Sequence, residues 1–440
     1  MVELANVRGV RDYWPEEQLT NQRIVDAIRR KFELYGFKPA ETPILNNFEL
    51  LSSKYAGGAE ILKETFKVQR PKFEETEKAS GREIALRYDL TVPLAKLIGS
   101  NPKVKMPFKR FEIGKVFRDG PTKVGRYKEF TQCDADIIGS RSVLADAECI
   151  ALAFEAFQEL ELKVKAKVNN RKLLSGILEE CDVEEKLRNS AILSIDKLEK
   201  IGLDSVRKEL TGLGLKSQSI DDVFELISVE GTPEEIIDKL EGKGSNNSFK
   251  EGIEELKRLL EALNSMNSLK GVEVDLSLAR GLDIYTGTVF EFFAEDSKIT
   301  SSVVGGGRYD KIIGAFLESK EEYPAVGVSF GLDVIFEVLK EKGLGAKKSN
   351  TRVFIAAIQT ENECLELAAQ LRKEGISTEV DLMNRNISKN LDYANTEGIP
   401  FMVIAGKKEL ESGKLTFKDM KSGVQEALTL EEVIKRVKAS

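Results

Sequence analysis

The chain has no histidine among its 440 residues. That absence removes a Ser-His-Asp triad, a Cys-His nucleophile, a histidine-ligated zinc and a histidine general base. Chemistry here must run on carboxylates, arginine, lysine, tyrosine or a bound metal. Cysteine is nearly as sparse. Cys133, Cys149, Cys181 and Cys364 lie far apart with no C-x-x-C pair, which argues against a disulfide framework and a zinc site. No run of eighteen apolar residues occurs, so no membrane span is expected. The opening residues Met1–Asn6 lack the basic and apolar regions of a secretory signal, and a cytoplasmic protein is expected. A P-loop, G-x-x-x-x-G-K-S/T, is missing as well.

What is present reads as a soluble globular protein, with 41% hydrophobic and 32% charged residues and length for two or three domains. The net charge of −7 does not announce a nucleic-acid partner, so local basic clusters must supply any such contact. One lies between Pro102 and Lys128, with nine Lys or Arg and only two acids, Glu112 and Asp119. A solvated strand face would carry the same charges.

Ile24, Ile28 and Phe32 recur at helical spacing and predict an amphipathic helix over 17–35, with Gly36 as its stop. Extended segments follow around Thr42–Leu45, Ile84–Leu86, Phe108–Arg118 and Arg126–Ile138. The charged stretch from about 170 to 262 reads as a helical insertion. Strands resume at Val272–Leu278, Gly287–Ala294 and Ser301–Val304, before a strand-helix unit over Ala325–Lys340. This first domain, 1–342, is expected to be α+β around a mainly antiparallel sheet. A polar linker, Gly343–Asn350, leads to a second domain over 351–440, where alternating strands and helices predict a small parallel α/β sheet.

The segment FKRFEIGKVFRDGPTKVGRYKEFTQCDADIIG, residues 108–139, predicts two long strands joined by a Gly/Pro loop, Asp119–Gly125. Alternation puts Arg126, Phe130, Gln132 and Asp136 on one face of the second strand. An arginine, an aromatic ring, an amide and an acid make a poor core. They suit a nucleotide and a small polar substrate, with Arg for phosphate and Phe for base stacking. An amphipathic edge hairpin with a wet face is the alternative.

Those residues resemble the second signature motif of class II aminoacyl-tRNA synthetases, and the continuation Q-C-D-A-D-I-I-G is similar to the histidyl branch. The resemblance implies that Arg118 holds the α-phosphate of ATP, that Phe130 stacks on adenine and that Arg126 meets the far phosphates or the nucleotide's edge. Gln132 and Asp136 would line the amino-acid pocket. RYDLTVP, residues 87–93, resembles the family segment that holds the substrate ammonium, here through Asp89 and Thr91. LARGLDIYTGTVFE, residues 278–291, is similar to the histidine-specific signature. It implies Arg280 beside the α-phosphate and Tyr285 at the imidazole, with Ile284 where a second tyrosine is usual. Gly305-Gly306-Gly307 before Arg308-Tyr309-Asp310 resembles a further histidine-side segment, in which Tyr309 closes the pocket; alone it would read as a strand-to-helix turn.

Two further positions depart from the family. AVGVSFGLDVIFEVL, residues 325–339, resembles the third class II motif, but Val334 stands where an arginine is usual. Gly120, beside Asp119, falls at the second motif's usual glutamate. The N-terminal VRGVRDYWPEE with Thr42-Pro43 resembles the class II dimerisation motif, which implies a homodimer. The C-terminal GIPFMVIAG and KLTFKDMKSG resemble an anticodon-binding domain. Lys418–Ser422 is superficially like a class I lysine loop, but class I also needs a histidine-containing signature.

The resemblance therefore implies ligation of L-histidine to tRNA(His) through an adenylate, with ATP and Mg2+ and no protein-held metal. A non-catalytic, synthetase-like regulatory subunit of ATP phosphoribosyltransferase is the alternative; such subunits usually lack the anticodon domain. Without histidine side chains, any limb near pH 6–7 in kcat/KM for histidine is expected to belong chiefly to the free substrate, unless a buried acid is strongly shifted.

Overall fold

The computed structural model describes residues 4–52, 63–69, 83–280, 284–316, 322–345 and 348–440. Gly281, Leu282 and Asp283 of the histidine-type signature lie outside the described residues. The chain divides into two compact units. One holds residues 1–11 and 24–344, the other residues 12–23 and 345–440.

The first unit is built on strands β1 (Lys38–Pro39), β5 (Phe108–Phe117), β6 (Glu129–Ile138), β7 (Val164–Asn170), β8 (Val272–Val274), β9 (Thr288–Ala294), β10 (Val304–Arg308) and β11 (Ala325–Gly331). They form one sheet in the order β1-β5-β6-β11-β10-β9-β7-β8. Only the edge pairs β1–β5 and β7–β8 are parallel, so the sheet is mainly antiparallel. Strands β2 (Leu45–Asn47), β3 (Lys67–Val68) and β4 (Ile84–Leu86) make a small separate sheet.

One face of the large sheet is apolar. Phe111, Cys133, Ala135, Val328, Phe330 and Phe292 pack there against the Val143–Glu159 helix and the inner stripe Ile24, Ile28 and Phe32 of the Pro15–Leu34 helix. The ring of Phe32 sits 5.3 Å from Phe111 and 5.8 Å from Phe330, centroid to centroid. Truncating a fully buried ring such as Phe330 to alanine costs about 3–5 kcal/mol. Helices run from Arg171 to Ser265 between β7 and β8.

Several strand ends differ from the sequence reading. Thr42 is not in a strand: its N–H and hydroxyl are bound to Glu112, and Pro43 has no N–H for a ladder. The second hairpin strand begins at Glu129, so Arg126 lies in the loop rather than on the strand face. The triple glycine is a strand, not a turn, because β9 and β11 pair with it on both sides.

In the second unit β12 (Val353–Ile358), β13 (Thr378–Val380) and β14 (Phe401–Gly406) are parallel, as the alternation predicts. An antiparallel pair, β15 (Leu415–Asp419) and β16 (Gln425–Leu428), extends the sheet beyond the expected parallel set. Those strands are joined by a tight turn rather than a helix, which permits antiparallel pairing.

Candidate active site

The face of the large sheet opposite the apolar core is polar and organised in rows. Register aligns Glu112, Asp134, Ser329, Gly305 and Glu291 across β5, β6, β11, β10 and β9. The adjacent row is Arg110, Asp136, Gly327, Gly307 and Val289. Directly paired residues point the same way, so these rows form the floor of one trough.

Glycines in the floor let side chains lie against the backbone. A Cβ on Gly305 would stand 1.7 Å from Arg280 Nη1, and one on Gly307 would stand 2.8 Å from the Tyr285 ring. The Arg280 guanidinium is tied to Glu291, Nη1 to Oε1 2.7 Å, and lies 5.7 Å from the Tyr285 ring centroid. The fold thus brings Arg280 and Tyr285, five positions apart in one signature, onto the glycines of another.

Asp136 sits beside them. The Tyr309 hydroxyl donates to its Oδ1, and Arg110 Nη2 lies 3.0 Å from its Oδ2. Arg110 is 1% exposed, so the basic cluster read along the sequence is not a plain solvated face. Arg110 also faces Glu112, Nη1 to Oε2 3.6 Å, and Glu112 in turn accepts from Arg87 Nη1 at 2.6 Å. Burial holds the Asp136 carboxyl above its ordinary range, and Arg110 opposes that shift.

Asp134 lies between Gln132 and Asp136 on the same face. Burial, with the Asp136 charge next in size, pushes it up to about 7. Gln132 Nε2 donates to Ser329 Oγ at 2.8 Å, and that hydroxyl is also hydrogen-bonded to Asp134. Two buried acceptors, Gln132 Oε1 and Asp134 Oδ1, have no protein partner among the described residues. A trough floored with unpartnered acceptors suits a small ligand that brings N–H donors.

Arg118 and Phe130 stand at the hairpin end of the same face. The Arg118 guanidinium lies 4.3 Å from the Tyr88 ring centroid and 5.1 Å from that of Phe130, and its Nε donates to Tyr88 O at 3.2 Å. Asp89 accepts the Val92 N–H at 3.0 Å, in the first turn of the Thr91–Gly99 helix; burial raises its pKa, against the pull of that bond and of Arg118. Arg126 is exposed in the loop and is not on the strand face with Phe130, Gln132 and Asp136.

Both departures from the family acquire a setting. A Cβ on Gly120 would stand 2.7 Å from Glu64 Oε1, so the Glu64 carboxylate fills the space beside Gly120. Val334 is buried beneath the loop, 3.2 Å from where a Gly125 Cβ would sit, in the same loop that carries Lys123 and Arg126. Its neighbour Asp333 accepts the Thr131 N–H at 3.1 Å and braces the hairpin.

Sequence reasoning passed over Asp134, Glu112, Arg110, Ser329, Glu291 and Glu64. The first three carry a signal: period-two alternation from Asp136 and Gln132 selects Asp134 and its partners on β5. Ser329, Glu291 and Glu64 meet the site only through strand order and loop placement.

A model of the histidyl-tRNA synthetase family matches residues 9–335, and an anticodon binding domain model matches residues 351–440. The chain is 45% identical over 424 residues to histidine–tRNA ligase 1 of Bacillus cereus, covering 96% of this chain and 97% of that one. It is 39% identical over 438 residues to histidine–tRNA ligase of Aeropyrum pernix, covering 98% and 97%. The crystal structure of histidyl-tRNA synthetase from Nostoc sp. PCC 7120 superposes with a TM-score of 0.88 at 28% identity, covering 100% of both chains.

Proposed function

Because the chain belongs to the histidyl-tRNA synthetase family, we propose that its trough joins histidine to ATP and that the resulting adenylate acylates tRNA(His). The histidine carboxylate attacks the α-phosphorus in line and displaces pyrophosphate; the adenylate then passes the histidyl group to the terminal ribose, releasing AMP. Such chemistry asks mainly for positioning and charge stabilisation, which arginines supply without any histidine side chain.

Arg280 and Arg118 are assigned to the α-phosphate, and Phe130 to adenine. The pocket for the amino acid is assigned to Gln132, Asp136, Tyr285 and Tyr309, with Asp89 and Thr91 toward the ammonium. Arg126 is assigned to the far phosphates from the loop above Val334, where it and Lys123 bring positive charge to the position that lacks its arginine. The carrying observation is the placement of Arg280 over Gly305, one strand row from the Asp136–Tyr309 pair. A pocket that hydrogen-bonds a polar side chain rejects apolar amino acids without editing.

Mg2+ is expected to travel with the ATP phosphates. Among the described residues no group of three or more Asp, Glu or Cys is placed to hold an ion, and Glu291 is taken by Arg280.

Residues 351–440 are assigned to the anticodon. Arg385 lies 4.7 Å from the Tyr393 ring centroid, near exposed Leu382 and Met383, an arrangement suited to stacking unpaired bases. The same domain disfavours the regulatory-subunit reading. A homodimer fits the N-terminal segment, where Leu4 and Val7 are exposed apolar residues. Histidine-dependent exchange of pyrophosphate into ATP tests the assignment: exchange with histidine alone among the amino acids is expected, and its absence from folded protein rejects the reading.

A further inference from the structure

The helices between Arg171 and Ser265 have no part in the chemistry above, yet one carboxylate from them reaches it. Asp196 follows the Glu185–Ile195 helix, and its Oδ1 accepts the backbone N–H of both Ala279 (3.0 Å) and Arg280 (2.7 Å). Arg280 requires such a hold. Its φ is +59°, in the left-handed region that side chains with a Cβ avoid. A backbone in that state persists only where its surroundings over-determine it.

The surroundings here come from two sides. Asn169, fully buried in β7, donates its Nδ2 to the carbonyls of Leu276 (3.1 Å) and Leu278 (2.8 Å). Asp196 takes the N–H groups that follow. The left-handed turn then sends the Arg280 side chain back over Gly305 to Glu291. Without the Asp196 oxygen, two N–H groups lose their acceptor, and the hold that Asp196 places on the left-handed φ is gone. Relaxation of φ would swing the guanidinium off the floor.

We propose that Asp196 is a positioning residue for the adenylation step: it latches the Arg280 backbone in the left-handed turn that delivers the guanidinium to the trough. The helical segment thereby belongs to the active site, as the element that sets its principal arginine. This inference rests on the assignment of Arg280 to the α-phosphate made above.

The test uses the full chain, with histidine-dependent pyrophosphate exchange and a thermal melt for each variant. Asp196→Ala is expected to fold and to lose about 10- to 100-fold in kcat, the scale of misplacing a reacting contact by about an ångström. Asp196→Asn keeps an oxygen acceptor and is expected to stay within about 3-fold of wild type, because the N–H bonds survive. The decisive comparison is the double variant. Asp196→Ala with Arg280→Ala should be no slower than Arg280→Ala alone, because residues acting as a unit are not additive. Multiplying defects would show that Asp196 acts independently of Arg280 and overturn the proposal. So would a folded Asp196→Ala with wild-type exchange. Should the alanine variant fail to fold, Asp196→Glu, which keeps the charge and misplaces the oxygen by one methylene, enters the same cycle. A wild-type chain with no histidine-dependent exchange overturns the functional reading and this inference together; an active wild type beside an equally active Asp196→Ala overturns the inference alone.

Discussion

The Arg280 guanidinium occupies the space that a side chain at Gly305 would need, with Nη1 1.7 Å from the position of a Cβ there. The clashing atom is the far end of a flexible chain, so Gly305→Ala can be accommodated by moving Arg280. The expected outcome is a folded protein with a thermal midpoint close to wild type. Histidine-dependent exchange should fall roughly 10²–10³-fold, the scale of removing one preorganised electrostatic contact. Arg280→Ala is expected to fall by a similar factor. A Gly305→Ala variant with wild-type exchange would detach Arg280 from the chemistry.

The Tyr309–Asp136 hydrogen bond and the Arg110 contact fix the depth of the Asp136 carboxylate. Asp136→Ala is expected to raise KM for histidine at least tenfold more than KM for ATP, since a substrate donor loses its acceptor while the nucleotide contacts are spared. Tyr309→Phe should shift the same ratio in the same direction by less. Steady-state exchange kinetics with each substrate varied in turn measure both, and equal effects on the two KM values would make Asp136 a purely structural group.

Asp134 gives the chain a titrating group where its composition has none. Its folded pKa of about 7 lies above the unfolded carboxylate value, so its contribution to stability is full below about pH 4 and is lost as pH rises through 7. Asp134→Asn removes that loss. The urea midpoint of the variant minus that of wild type is expected to increase from pH 4 to pH 7.5, and a flat or falling difference would refute the assignment. Kinetically, a limb near pH 6–7 is still expected to belong chiefly to free histidine, and Asp134 is a buried acid raised into the same range. A histidine analogue with a lower ring pKa should move the limb, and any part that stays near pH 7 should shrink in Asp134→Asn.

Cutting the chain after Gly345 is expected to retain much of the histidine-dependent exchange and to abolish charging of tRNA(His), because only the second step uses the anticodon. Filter-binding and acylation assays on the truncated protein decide this. Full charging would refute the placement of anticodon recognition in residues 351–440.

Much of the site was legible in the sequence because it rests on local periodicity. Alternation along Glu129–Ile138 is enough to put Gln132 and Asp136 on one face, and extending the same count reaches Asp134. Arg126 was misplaced because alternation cannot say where a strand begins; that depends on where pairing with β5 ends, at Phe117 opposite Glu129. The missing glutamate at Gly120 looked like a loss, since nothing along the chain ties Gly120 to Glu64, 56 positions earlier.

By itself, the sequence determined which chemistry was open: no histidine, few cysteines, arginines and acids at strand spacing, and a second, alternating domain. Those properties depend on side-chain type and on neighbours within a few residues, which covalent connectivity enforces. Tertiary structure alone decided that Arg280 lies on Gly305, that Ser329 holds Gln132, and that Asp196 reaches Arg280 from 84 residues away. Strand order and register bring such pairs together, and both are chosen by the burial of a whole sheet face at once. No local stretch of chain carries that information.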